Sequence, residues 1–155
     1  MNKVDIEVEK YIQSKKWSCG PAALKILLSY YGTEVSEEEL IELSGTNETQ
    51  GATHDGLISA VKAFGFSPYS SENTDDSVLL RFLGNHEPVL IDFQGNNGGH
   101  YVVGTAFSSQ RIHIQDPRTS GENHYTLDFN LFKARWYSVE YGTRKFINRW
   151  MLAVE

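Results

Sequence analysis

The chain has 155 residues, long enough to bury a sizeable core, and residues 1–155 are read as a single domain. Its 40% hydrophobic and 22% charged residues are those of an ordinary globular protein. A net charge of −6 disfavours nucleic acid or an anionic membrane as partner, and fits a basic or neutral peptide better than an acidic one.

One cysteine excludes an internal disulfide, and a lone thiol suits a reducing compartment. Met1 to Lys10 is too charged to hold the apolar region of a signal peptide. No stretch approaches the roughly 20 apolar residues of a membrane span. A cytoplasmic protein without direct membrane insertion is expected.

After a short extended start over Val4 to Tyr11, the pattern predicts a helix from Cys19 to Tyr31, apolar nearly all round except at Lys25 and Ser29. Pro21 fits its first turn, and Gly32 ends it. Ser36-Glu-Glu-Glu39 is a capping-box pattern opening a short helix through Leu43, its acidic run read as a solvated face. Thr53 caps a third helix, with Leu57, Ile58, Val61 and Phe64 on one face and Gly65 as its stop. Asp75 or Asp76 opens a fourth, ending before Gly84. Three strands follow, Pro88 to Phe93, His100 to Phe107 and Arg111 to Gln115, joined by Asn96-Asn-Gly-Gly99 and Ser108-Ser-Gln110 turns. Asp128 caps a short helix through Ala134, and Phe146 to Val154 reads as one last strand. Helices first and strands after predict an α+β fold, an N-terminal helical half packed on a C-terminal antiparallel sheet.

The chemistry concentrates around Cys19. A thiol at a helix N-terminus feels the positive end of the helix dipole and unpaired backbone N–H groups, which favour the nucleophilic thiolate. Gln13, six residues upstream, offers an amide donor for an oxyanion. Among five histidines His100 is best placed to be the base, because it opens a strand directly after a permissive Gly-rich turn. The next strand ends at Gln115-Asp116-Pro117. In an antiparallel pair the start of one strand lies beside the end of the next, so Asp116 is predicted to neighbour His100 and orient its ring. Taken singly, each has a plainer reading: a core cysteine, a structural histidine, a turn aspartate. The ordered set is the specific signal.

That set resembles the papain-like peptidases that cleave bacteriocin leader peptides after a double glycine, family thirty-nine of the cysteine peptidases. The likeness runs through Gln13 to Gly32, Gly65-Phe66, Pro88-Val89-Leu90, Gly99-His100-Tyr101-Val102-Val103 and Asp116-Pro117. It implies a papain-like fold with Cys19 as nucleophile, His100 as base and acid, and Asp116 as orienting residue. Gln13 would share the oxyanion hole with the Cys19 N–H. The expected partner is a peptide or protein substrate, with Gly-Gly before the cut. Two features depart from transporter-borne members: Trp17-Ser18 precedes Cys19 where an acidic residue is common, and no transmembrane or nucleotide-binding segment follows, so a partner transporter is left open.

Trp17, Gly99 and Tyr101 flank the motif and are candidates for substrate binding, with simple packing or a turn as the alternative. His54, His86, His113 and His124 are read as structural. No Cys-x-x-Cys or His-x-x-x-His spacing exists, so neither a metal nor another cofactor is expected. Two other functions share these residues: a papain-like acyltransferase or amidase, and a non-catalytic peptide-binding module of the same fold.

Overall fold

The computed structural model describes residues 6–96 and 98–155. The first two residues of the expected extended start, Val4 and Asp5, and Asn97 of the expected turn lie outside them. Thirteen elements follow in chain order: α1 Cys19–Ser29, α2 Glu37–Ser44, α3 His54–Ala63, β1 Pro68–Ser71, α4 Asp76–Gly84, β2 Val89–Gly95, β3 Gly98–Ser108, β4 Arg111–Gln115, β5 His124–Asp128, α5 Phe129–Arg135, β6 Tyr137–Val139, β7 Phe146–Asn148 and β8 Met151–Val154. Six strands form one antiparallel sheet in the order β1-β8-β2-β3-β4-β5, and β6 pairs with β7 in a small second sheet. This is the α+β class expected from the change of hydrophobic period.

The caps are those the sequence calls for. Ser36 accepts from the Glu39 N–H, Thr53 from the Gly56 N–H and Asp128 from the Leu131 N–H. Gly32 and Gly65 end their helices in the left-handed region, with φ of 76° and 83°. On one face of the sheet Leu24, Leu27, Leu57 and Val61 pack against Leu90, Val103 and Leu152. On the other, Leu79, Leu83, Phe132 and Trp136 cover Ile91, Val102 and Ile112. Helix α1 is therefore central, buried along both sides of its sequence except at Lys25 and its ends.

Three parts differ from the sequence expectation. The single last strand is two: Arg149, at φ 53°, breaks it, so that β7 joins β6 while β8 crosses to β1 and β2. The Arg149 guanidinium is held by Asp76 at 2.9 Å, a tertiary partner that no local pattern announces. Strand β1 is unheralded because Pro68-Tyr-Ser-Ser lacks alternation; its ladder comes from the far C-terminus, Pro68 opposite Val154. Strand β5 is likewise an edge, half-buried and paired only with β4.

The β3–β4 hairpin places the site. Its turn uses Ser109 and Gln110, both at positive φ (53° and 60°), and its register slips by one residue between Gly104 and Ala106, where Thr105 forms a bulge. Among the described residues no helix is long and apolar enough to cross a membrane.

Candidate active site

Cys19 is the first residue of α1, where backbone N–H groups have no intrahelical acceptor. Ser18 precedes it but does not cap the helix with its side chain. Its hydroxyl instead donates to Glu37 Oε2 at 2.5 Å. Glu37 is buried rather than solvated as the acidic run suggested, with 4% of its surface exposed. It also accepts from the Tyr11 hydroxyl at 2.8 Å and from the Ser14 N–H at 3.1 Å. Burial works to raise the Glu37 pKa, but the hydrogen bonds from Ser18, Tyr11 and Ser14 outweigh it and hold the carboxyl below its usual range. One carboxylate thus ties down the loop of residues 11–18, which carries Gln13 at one end and delivers Cys19 at the other.

Gln13 is buried and joins the two halves of the site. Its backbone N–H donates to the Pro117 carbonyl at 2.7 Å. Its side-chain Nε2 donates to the Lys15 carbonyl at 2.8 Å and, more loosely, to that of Lys16 at 3.3 Å. Its Oε1 is buried with no hydrogen-bond partner among the described residues.

His100 and Asp116 meet as the strand geometry predicts. His100 Nε2 lies 2.6 Å from Asp116 Oδ1, leaving Nδ1 for the Cys19 thiol, which also interacts with the ring. Burial alone would lower the His100 pKa, yet hydrogen bonds to Asp116 and Cys19, with the charges of both, push it up to about 10. These contacts favour the protonated ring.

Asp116 is fully buried and its oxygens are saturated from several directions. Besides His100, Oδ1 accepts from the Arg118 N–H at 2.9 Å, and Oδ2 accepts from the Tyr125 hydroxyl at 2.7 Å. Burial first, and then the Asp116 charge, drive the Tyr125 hydroxyl well above its ordinary pKa, so it remains a donor. The Asn123 side chain donates to the Asp116 and Arg118 carbonyls at 2.9 and 2.7 Å and fixes the intervening turn. Sequence reasoning missed Tyr125 and Asn123; the available signal was a polar run directly after Asp116, on a strand too weakly patterned to read. Replacing Tyr125 by Phe keeps the ring and removes one donor from a buried carboxylate. It should lower stability by about 1.5–3 kcal/mol in urea unfolding, whereas the exposed Tyr141→Phe should change nothing. A Tyr125→Phe loss indistinguishable from that control would mean the bond contributes nothing.

These side chains open on a cavity of about 900 Å³ whose walls include Gln13, Cys19, Gly99, His100 and Asp116. Of the three residues expected to bind substrate, Gly99 is in that wall. Trp17 is half-buried outside it, and Tyr101 is buried and faces elsewhere. The Tyr101 hydroxyl donates to the Ala52 carbonyl at 3.1 Å, and its ring packs against Gly20 so closely that an added Cβ there would meet both the ring and the Ala52 methyl.

Tyr101 lines a second cavity of about 690 Å³, with His54, Asp92 and Trp150. His54 is more than a first-turn residue. Its Nε2 lies 2.8 Å from Asp92 Oδ2, and its ring stacks on Trp150 at 3.9 Å with the planes 4° apart. Burial raises the Asp92 pKa against the opposing hydrogen bonds of His54, Ser138 and Tyr101. The signal for this network was a lone carboxylate inside the apolar strand Val-Leu-Ile-Asp92-Phe.

Comparison with known proteins bears on what this geometry does. The family model for the peptidase C39 family matches residues 8–141. An uncharacterized protein of Methanothermobacter marburgensis is 37% identical over 105 residues, 68% of each chain. Among solved structures, the peptidase domain of Streptococcus ComA, a bifunctional ABC transporter of a quorum-sensing pathway, superposes with a TM-score of 0.75 at 22% identity, over 98% of both chains. A double-glycine motif protease from an AMS/PCAT transporter, solved with its leader peptide, gives 0.74 at 19% identity, over 97% of this chain and 92% of that one. At those identities the structures speak for a shared fold.

Proposed function

The chain belongs to the peptidase C39 family, and from that premise we propose that it is a cysteine peptidase acting through Cys19, His100 and Asp116. The observation that carries the reading is the contact of Cys19, at a helix N-terminus, with an imidazole whose far nitrogen is held by a buried carboxylate. In this reading the Cys19 thiolate attacks the scissile carbonyl carbon, and the π electrons move onto oxygen. The Cys19 N–H and one Gln13 amide hydrogen, turned from its loose 3.3 Å bond to the Lys16 carbonyl, stabilise that oxyanion. Collapse expels the amine, which takes the proton from His100 Nδ1 and leaves an acyl-thioester. A water molecule then gives a proton to His100 and its oxygen to the acyl carbon. The acid is released, the thiolate returns and His100 is again an imidazolium. Asp116 keeps Nε2 protonated and the ring in one orientation throughout.

The double-glycine protease that shares the fold suggests the first peptides to try, those with a central Gly-Gly. Cutting after such a pair would suit an approach past Gly98, where an added Cβ would meet nothing, and Gly99, both in the wall of the Cys19 cavity.

The test is the alkylation of Cys19 by iodoacetamide from pH 4 to 9. With His100 protonated beside the sulfur, the wild-type rate should persist at pH 6. His100→Ala should lower that rate by roughly 10²-fold, the thiolate fraction left to an ordinary thiol of pKa about 8.5. A wild-type rate that follows an ordinary thiol titration and ignores His100→Ala would overturn the reading and leave a peptide-binding module.

A further inference from the structure

The protein as a whole is acidic, with 20 Asp and Glu against 14 Lys and Arg. The walls of the Cys19 cavity reverse that sign. Their charged side chains, outside the Cys19–His100–Asp116 group, are Lys16, Arg118 and Arg135, with no further carboxylate. Asp116 offsets only Arg118, and loosely, its Oδ2 lying 3.9 Å from the Arg118 Nε; it is buried and closer to His100, at 2.6 Å, so Lys16 and Arg135 stay unbalanced.

The pairing of these cations is equally uneven. Elsewhere cations find carboxylates: Lys25 meets Glu9 at 3.5 Å, and Lys133 and Arg149 both meet Asp76 at 2.9 Å. Lys16 and Arg135 have no carboxylate within ion-pair distance among the described residues. Arg118 is held in place, its Nε donating to the Glu122 carbonyl at 2.7 Å and its guanidinium lying 4.7 Å from the Tyr125 ring centre, with one side at the cavity. The second cavity has the opposite character: Asp55, Glu72, Glu140 and Asp92 line it, with Lys145 and His54. Positive charge is therefore concentrated where the thiol is, in a concave site where its field is focused.

We infer that the peptide drawn to the Cys19 cavity carries carboxylates beside the bond that is attacked. This reverses the preference that net charge alone suggested, because a substrate meets the local walls and not the average surface. It rests on the peptidase reading above and adds the class of substrate. The carboxylate has two sources, acidic side chains flanking the bond or the free C-terminus of a short peptide.

Two measurements test this together. The first uses quenched peptides with a central Gly-Gly flanked by Glu, Gln or Lys, each with a free and an amidated C-terminus. Glu-flanked peptides should be cut about tenfold faster in kcat/KM than Lys-flanked ones, and 1 M salt should remove the difference as the screening length falls to about 3 Å. Faster cutting of Glu- than of Lys-flanked peptides after amidation assigns the recognition to side chains; a rate that falls on amidation whatever the flanks assigns it to the chain end. The second compares alkylation of Cys19 by anionic iodoacetate and neutral iodoacetamide. The acetate-to-acetamide rate ratio should fall about fivefold in the Lys16→Glu, Arg135→Glu double variant, while the iodoacetamide rate confirms an intact Cys19–His100 pair. Equal cutting of Glu- and Lys-flanked peptides with no loss on amidation, or a ratio that the double variant leaves unchanged, overturns the inference. If no peptide is cut, the peptidase reading falls, and the ratio still decides whether the cavity selects anions.

Discussion

Cys19→Ala should reduce hydrolysis of any peptide this protein cuts by at least about 10⁴-fold, since the exchange removes the atom that forms the covalent intermediate. The fold should barely register it. Cys19 is half-buried at a helix start, and losing one small group there is expected to change stability by no more than about 1 kcal/mol in urea unfolding. A second readout comes from His100. The hydrogen bond and charge of Cys19 are among the causes that push its pKa up to about 10, so without the sulfur the ring should titrate lower, followed by proton NMR of the imidazole. Cleavage retained above a hundredth of wild type would place the nucleophile elsewhere. A stability loss of several kcal/mol would make Cys19 a packing residue.

Glu37→Ala should be the most damaging change outside the reacting groups. It leaves the Tyr11 hydroxyl and the Ser14 N–H without their acceptor and the Ser18 hydroxyl with the Lys15 carbonyl alone, in a place where 4% of the residue it replaces is exposed. Lost and unsatisfied bonds of this kind amount to about 2–4 kcal/mol together. The loop that holds Gln13 and Cys19 should loosen with them, so hydrolysis falls even though Glu37 touches no reacting atom. The pH dependence has a definite sign. Glu37 has a folded pKa below its ordinary 4.5, so its stabilising effect is complete above 4.5 and is lost as pH falls through the lower folded value. The gap between wild type and Glu37→Ala should accordingly narrow below about pH 4. A difference under 0.5 kcal/mol at pH 7 would show that the loop holds itself.

What the sequence makes legible follows from the range of each interaction. The helix caps at Ser36, Thr53 and Asp128, the end of α1 at Gly32 and the strand Arg111–Gln115 are local, set by residues within a few positions. The approach of His100 to Asp116 is legible too, because a hairpin is the simplest link between neighbouring apolar strands. Glu37 is not. Its run of three glutamates looks like a solvated face, and only the return of residues 11–18 over α2 buries one of them. The break at Arg149 and the pairing of His54 with Asp92 depend on partners 73 and 38 positions away, and the stacking of His54 on Trp150 on one farther still, beyond the reach of any periodicity. Tyr101 stands on the expected strand with its ring at the second cavity, since alternation alone does not say which cavity a face meets.

The bulge at Thr105 imposes a parity condition on the chain. In the outer part of the β3–β4 hairpin the partners are Ser108 with Arg111 and Ala106 with His113; past the bulge they are Gly104 with Ile114 and Val103 with Gln115. Carrying the inner register one step further sets Asp116 opposite Val102, two residues from His100 and therefore on its side of the sheet. Were Thr105 kept in an unbroken ladder, Asp116 would stand opposite Val103, and its carboxylate would leave from the other side, away from the imidazole. Removing Thr105 would close the bulge and leave Asp116 opposite Val102, whereas removing a further residue of β3 would shift the inner register by one and separate the pair. The one-residue slip in this hairpin thus acts as a switch on whether the histidine has its carboxylate at all.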